Sequence, residues 1–258
     1  MSTAQNHCLD LATILQGKML PAFAPDILGL NVFGDCHYAT KLGGDFFDYF
    51  DFREACCRSD TRLRLVVGDA AGHGVNAALV MTTVRAYIRG RAMQPGDIHE
   101  VVNDVNKLLT KDLMYSGNFV SMFFLDLSML DNTLSWVVAG HDPALLFDSN
   151  TDTFELLSGQ GIPLGVEPEY TYPINSREAL QPGQILVLCT DGIWETTNNQ
   201  GQQFGKDRLR QIIRNHSGDS MKELVGTVYA DLKSFSGQHP LQDDATIVAI
   251  KAVETQAE

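Results

Sequence analysis

Four stretches of this sequence begin or end an apolar run on aspartate: GGDFFD carries Asp45 and Asp48, VVGDAAGHG carries Asp69, LCTDGIWE carries Asp191, and QDDATIVAI carries Asp243 and Asp244. A carboxylate at the end of a buried strand is costly to desolvate without a partner, and a multivalent cation satisfies several converging carboxylates at once. Ligands that are all oxygen select hard metals such as Mg²⁺ or Mn²⁺. Glycines beside the acids, Gly43, Gly44, Gly68, Gly72, Gly74 and Gly192, let the chain turn tightly and let a carbonyl or a phosphate come close. Any single Asp-Gly reads first as a plain turn, and His73 in GHG as a turn histidine. The set of four strand-end acids is what points to metal chemistry.

Elements that would hold these residues follow from periodicity. Leu11, Leu15 and Met19 recur at helical spacing until Pro21, which predicts a short leader helix whose apolar stripe must pack on the rest of the chain or on another chain. LGLNVFGDCHYA, DFFDYFDF and RLRLVVGD read as strands. Two helices come next, one with the stripe Ala77, Met81, Val84 and Ile88, the other with Ile98, Val101, Val105 and Leu108. NFVSMFFLDLS, TLSWVVAG and PALLFD are strands, with LDNT and GHDP as hairpin links, and links this short predict antiparallel neighbours. PGQILVLCTDG predicts a buried strand, GKDRLRQIIRNH and SMKELVGTVYADLKSF two helices, and DDATIVAIKA a closing strand. Strands and helices come in blocks, so the expected class is α+β with antiparallel sheets.

Composition narrows the function. The chain has 258 residues, 44% of them hydrophobic, enough for a sizeable core in one domain. Its 32 acidic against 19 basic residues give a net charge of −13, which opposes nucleic-acid and anionic membrane surfaces. Five cysteines, Cys8, Cys36, Cys56, Cys57 and Cys189, form no CxxC pair, and Cys56-Cys57 reads as part of a solvated loop. A reducing, cytoplasmic setting fits that usage, and the N-terminus carries no basic head joined to an apolar segment.

GGDFFD, VGDAAGHGVNAALVM, TDGIWETTNNQGQQFG and DDATIVAI, in that order, resemble the bacterial stage II sporulation protein E-type serine phosphatases, a branch of the metal-dependent type 2C protein phosphatases. The resemblance implies a phosphatase domain over 28–252, with a leader or linker helix over 1–27 and a tail over 253–258. It implies two antiparallel sheets packed as a sandwich flanked by helices, two Mn²⁺ or Mg²⁺ ions in a cleft at one end, and hydrolysis of phosphoserine or phosphothreonine on a protein. Carried over residue by residue, Asp69 bridges both ions and the Ala70 carbonyl completes one, where the family often has glycine. Asp45 sits on that same ion, and Asp191 with Asp243 holds the other; Asp244 is the alternative in the DD pair. Gly72 and Gly192 line the phosphate approach, and Lys41 stands where a phosphate-gripping cation is wanted. Such a centre lowers the pKa of a shared water and aligns it on phosphorus, while His73 or a water protonates the leaving alkoxide.

The resemblance also implies partners: a phosphorylated regulatory protein of the anti-sigma-factor antagonist kind, and an upstream sensor domain joined through the leader helix. That helix serves either as a switch, within a homodimer, or as a bystander capping the core. Two alternatives stand beside this reading. One is a degenerate phosphatase fold that only binds a partner; the other is a two-metal phosphodiesterase or nuclease, which the negative charge disfavours.

Overall fold

The computed structural model describes residues 3–50 and 62–254, and the expected loop at Cys56-Cys57 lies outside the described residues. The elements run α1 (Thr3–Met19), β1 (Leu30–His37), β2 (Asp45–Phe50), β3 (Arg62–Ala70), α2 (Gly74–Ala92), α3 (Ile98–Leu113), β4 (Val120–Ser128), β5 (Thr133–Ala139), β6 (Ala144–Asp148), β7 (Thr153–Leu157), β8 (Asn175–Glu178), β9 (Gln184–Cys189), α4 (Gly192–Glu195), α5 (Lys206–Asn215), α6 (Met221–Ser236) and β10 (Ala245–Ala252). One sheet has the order β1-β10-β9-β6-β7 and the other β2-β3-β4-β5-β8. All their pairings are antiparallel.

The central strands are apolar on both faces because both faces are covered. Along β3, Leu63, Leu65 and Val67 point into the core between the sheets, where Leu146, Leu186, Leu188, Val248 and Ile250 come from the other sheet. Val66 points the other way, with Phe46, Met122 and Phe124, onto Met81, Val84 and Ile88 of α2 and Val101 and Val105 of α3. On the outer face of the first sheet, Ile185, Val187, Ile247 and Ala249 meet Leu209 and Ile213 of α5 and Leu224 and Val228 of α6. The result is the expected α+β sandwich in helix–sheet–sheet–helix layers.

Two local expectations need revision, Leu108 on the buried face of α3 and GHDP as a hairpin. On α3 the buried face runs through Ile98, Val101, Val102, Val105 and Leu109, while Leu108 is exposed, because an apolar face more than one residue wide follows the 3.6-residue turn round to Leu109. LDNT is a hairpin, with Ser128 opposite Thr133 and Asn132 in the left-handed region at φ 52°. GHDP is not: β5 lies in one sheet and β6 in the other, so residues 140–143 carry the chain between the sheets. The polar edge strands β7 and β8 carried no apolar run to announce them. On α1, Leu11, Leu15 and Met19 are exposed, and among the described residues Gln16 is the α1 side chain buried against the domain, at 4% exposure.

Candidate active site

The strand-end acids meet where the two sheets exchange strands. Asp45 opens β2 and Asp69 lies near the end of β3, directly opposite each other in the ladder. Asp191 follows β9 and Asp243-Asp244 precedes β10, the paired strands of the other sheet. The connections 38–44 and 140–143 cross between the sheets at this same end. A cleft of about 340 Å³ opens there, lined by Asp69, Ala71, Gly72, Phe119, Ser121, Gly140, His141, Asp142, Thr190 and Asp191.

Asp45 is fully buried and has no basic partner among the described residues; its Oδ2 accepts hydrogen bonds from the hydroxyls of Thr190 and Thr246, each at 2.7 Å. Those two hydroxyls come from the opposite sheet, and Thr246 N–H donates to Thr190 Oγ1 at 3.0 Å, so the cradle also ties β9 to β10. Burial and the charge of Asp69 push the Asp45 carboxyl well up. Asp69 is pushed up to about 7, first by burial and then by the charges of Asp191, Asp243 and Asp244. Burial and the neighbouring Asp243 and Glu195 raise Asp191 as well. Carboxylates that hold one another's protons in this way form a site of strong negative potential.

The two members of the DD pair have opposite surroundings. Asp244 is buried, and its carboxylate accepts from the backbone N–H groups of Ala39 at 2.9 Å, Gly44 at 2.7 Å and Asp45 at 3.4 Å. It anchors the crossing segment. Asp243 is exposed, and its charge reaches Asp69 and Asp191. The glycines also divide. A Cβ at Gly44 would lie 2.5 Å from the Ala70 carbonyl oxygen, one at Gly43 2.1 Å from Asp244 Oδ2, and one at Gly192 2.0 Å from the Asp244 carbonyl oxygen. Gly192 is therefore a packing glycine, whereas Gly72, with φ 96° and open space around it, lines the cleft.

His73 and Lys41 are not among the cleft-lining residues. His73 is exposed at the start of α2 and makes no side-chain capping bond. Lys41 pairs with Asp10 of α1 at 2.6 Å. The cleft histidine is His141, on the crossing segment, its Nδ1 2.8 Å from Ser121 Oγ and its pKa lowered to about 4 by burial. Beside it Asp142 pairs with Lys206 at 2.6 Å, and that ammonium lies 4.1 Å from the Trp194 ring centroid. Thr190, Thr246, Ser121, His141 and Asp142 were absent from the sequence-based set. Thr190 and Thr246 had a signal, standing within CTDG and DDATIV; His141 looked like hairpin punctuation.

Among the described residues, no group of three or more acidic, histidine or cysteine side chains is arranged to hold a metal ion by itself. The donor set still fits Mg²⁺ or Mn²⁺. Such ions keep several waters, take one or two carboxylates and share substrate phosphate oxygens, so an all-protein cage is not required. An unneutralised group of carboxylates around an open cleft matches that demand.

Comparison with known proteins agrees with this architecture. Residues 59–253 match the family model of stage II sporulation protein E (SpoIIE). The chain is 24% identical over 245 residues to the phosphoserine phosphatase RsbU of Bacillus subtilis (strain 168), covering 94% of this chain and 69% of that protein. Its fold matches the SiaA-PP2C domain of Pseudomonas aeruginosa with a TM-score of 0.81 and 23% identity, over 97% of this chain and 99% of that one. The magnesium complex of RsbX shares the fold at a TM-score of 0.62 and 14% identity, over 86% of this chain and 94% of that one. With three quarters of its length matched by the family model and its strand-end acids gathered at one end of the sandwich, the chain belongs to the stage II sporulation protein E family.

Proposed function

We propose that this chain is a protein serine/threonine phosphatase domain that hydrolyses phosphoserine or phosphothreonine on a regulatory protein of the anti-sigma-factor antagonist kind. The observation that supports the reading is the gathering of Asp45, Asp69, Asp191 and Asp243 at one end of the sandwich, where Asp69 and Asp191 line an open cleft, buried Asp45 lies opposite Asp69, and the charge of Asp243 reaches both cleft acids. Asp69 and Asp45 with the Ala70 carbonyl, and Asp191 with Asp243, are the groups that would hold two Mn²⁺ or Mg²⁺ ions. Bound there, the ions would supply charge neutralisation for the phosphoryl group and a nucleophilic water of lowered pKa.

The chain's own residues do the rest. Rigid paired strands fix Asp45 and Asp69, so little reorganisation is needed when substrate arrives. The Thr190 and Thr246 hydroxyls hold one Asp45 oxygen, and the Asp45 carboxyl shares a hydrogen bond with that of Asp69. Asp244, saturated by three backbone donors, keeps the crossing segment in place and leaves Asp243 as the ligand of the pair. Gly72 leaves room for the phosphate, and His73, at the mouth of the helix that follows, or a water supplies the leaving-group proton. The leader helix connects this domain to a sensor, and its exposed Leu11, Ile14 and Leu15 provide the face for a homodimer.

The test is release of phosphate from a phosphoserine peptide with Mn²⁺, Mg²⁺ or EDTA, beside a cyclic nucleotide and a DNA substrate. Turnover of the peptide alone, abolished by EDTA, is expected. Undiminished turnover in EDTA, or preference for the phosphodiesters, overturns the reading.

A further inference from the structure

A phosphoryl group entering the cleft meets no lysine or arginine in its lining; among the lining residues, the neutral side chains able to donate a hydrogen bond are Ser121, His141 and Thr190. Thr190 is already committed, since its hydroxyl donates to Asp45 Oδ2 at 2.7 Å. Nearby Lys206 is paired with Asp142. Ser121 and His141 remain, and they are bonded to each other, Nδ1 to Oγ at 2.8 Å.

Ser121 stands in one row with the acids. Asp45 is opposite Asp69 across β2 and β3, and Asp69 is opposite Ser121 across β3 and β4. Residues directly opposite in an antiparallel ladder project from the same face, with Cβ atoms about 4.5–5.5 Å apart. A group held at Asp69 therefore comes within reach of the Ser121 hydroxyl, whose one hydrogen bond among the described residues is to His141.

His141 is set against Ser121 by its own backbone. The preceding Gly140 forms a parallel bridge with Met122, the neighbour of Ser121, and donates its N–H to the Gly161 carbonyl at 2.9 Å. Burial lowers the ring's pKa to about 4, with Asp142 and the Cys189 backbone acting against it, so the imidazole is neutral near pH 7. A neutral imidazole carries one N–H donor and one acceptor. Nε2 is buried without a hydrogen-bond partner, and an orphaned acceptor is better tolerated than an orphaned N–H. The proton accordingly sits on Nδ1 and is donated to Ser121 Oγ. That frees the Ser121 O–H to donate into the cleft.

We propose that Ser121 is a catalytic residue whose hydroxyl donates a hydrogen bond to an oxygen of the transferring phosphoryl group, and that His141 is the positioning residue that aims it. The inference rests on the phosphatase reading of the cleft and adds a contact to the substrate. A fixed neutral donor stabilises charge that develops on phosphoryl oxygen without drawing on the carboxylates that would hold the metal ions.

The experiment compares wild type, Ser121→Ala, Ser121→Thr, His141→Leu, His141→Asn and the double variant Ser121→Ala/His141→Leu. Turnover of a phosphoserine peptide is measured at saturating Mn²⁺, Mn²⁺ affinity by calorimetry, Tm by circular dichroism, and the His141 ring nitrogens by ¹⁵N NMR without metal. Ser121→Ala is expected to lower kcat about 10- to 100-fold, the order of one hydrogen bond to a charged group, with KM, Mn²⁺ affinity and Tm near wild type. His141→Leu should lower kcat about tenfold, and the double variant should be no slower than Ser121→Ala, because His141 acts through the serine. Ser121→Thr keeps the hydroxyl and His141→Asn places an amide nitrogen near the Nδ1 position, so each should recover most of the rate. The wild-type ring should be in the Nδ1–H form.

A Ser121→Ala enzyme with kcat within threefold of wild type overturns the proposal. So does Mn²⁺ affinity that falls in step with kcat, since Ser121 would then serve the metal and not the substrate. Additive losses in the double variant, or a ring in the Nε2–H form turned to the Cys189 backbone, overturn the role given to His141. If the wild type releases no phosphate from the peptide, the phosphatase reading itself fails, and the metal-free NMR experiment still decides how His141 holds Ser121.

Discussion

Asp45 and Asp48 stand three residues apart on β2, both almost fully buried, and they live in opposite electrostatic worlds. Asp48 is held by Arg89 Nη1 at 2.7 and 2.8 Å and by Arg85 at 3.0 Å. A second buried acid, Asp126, is gripped by Arg62 and Arg64 in the same manner. Asp45 has two threonine hydroxyls and the carboxyl of Asp69 nearby, and no cation among the described residues. A buried carboxylate matched by arginine is complete within the fold. One matched only by hydroxyls and other carboxylates is complete only with something added from outside. The same strand therefore carries one acid paired with arginine within the fold and one that, among the described residues, has no cation and that the proposed function takes as a metal ligand.

The comparison breaks first at the functional end. Asp69→Asn should lower metal-dependent phosphate release by at least about 100-fold, since a few kcal/mol of metal-borne stabilisation is lost. Its Tm without metal should stay level or rise, because one member of a repelling set has been neutralised. Steady-state assays with saturating Mn²⁺ and thermal melts in EDTA check both halves, and a fully active Asp69→Asn would dissolve the distinction.

At the structural end the pattern reverses. Asp48→Ala should destabilise the fold by about 2 kcal/mol, because Arg85 loses its buried counter-charge while the half-exposed Arg89 can turn to solvent. Turnover per folded molecule should hold within a few-fold. Urea denaturation beside an activity assay at low temperature measures the two separately.

A pH series sharpens the contrast further. Asp69 is raised from an ordinary value near 3.8 to about 7, so the metal-free folded protein binds a proton there that the unfolded chain has released. Its contribution to stability is present below about pH 4 and is lost as pH rises through about 7. Melts in EDTA should therefore show Tm falling between pH 5 and pH 8, and Mn²⁺ should flatten that slope. A slope that is unchanged by Mn²⁺ would show that the carboxylates do not bind it.

The smallest effect belongs to the thiols. Cys189 is buried and Cys36 partly so, burial raises both thiols, and neither lines the cleft. Replacing all five cysteines by Ala or Ser should keep turnover within an order of magnitude, with Cys189 costing most in stability. Mass spectrometry of enzyme quenched during turnover should find no phosphocysteine.

Much of this was legible in the linear sequence. Strand-end aspartates beside glycines are local features, written within a few residues, and the alternation of strand and helix blocks fixed the α+β class. Asp69, Asp191 and Asp45 could be named because a strand's apolar run marks where its end must lie. Tertiary structure decided what depends on partners far along the chain. Asp244 became the anchor and Asp243 the exposed acid only when residues 200 positions away brought their N–H groups to Asp244. GHDP became a crossing between sheets because β6 found β9 and β7 in place of β5. Gln16, an unremarked polar residue on an amphipathic helix, became buried because Gly43 presented a donor and an acceptor to it. Periodicity records which face of an element is covered, but a hydrogen-bond or charge partner is chosen by how the chain closes on itself, and no local pattern encodes that choice.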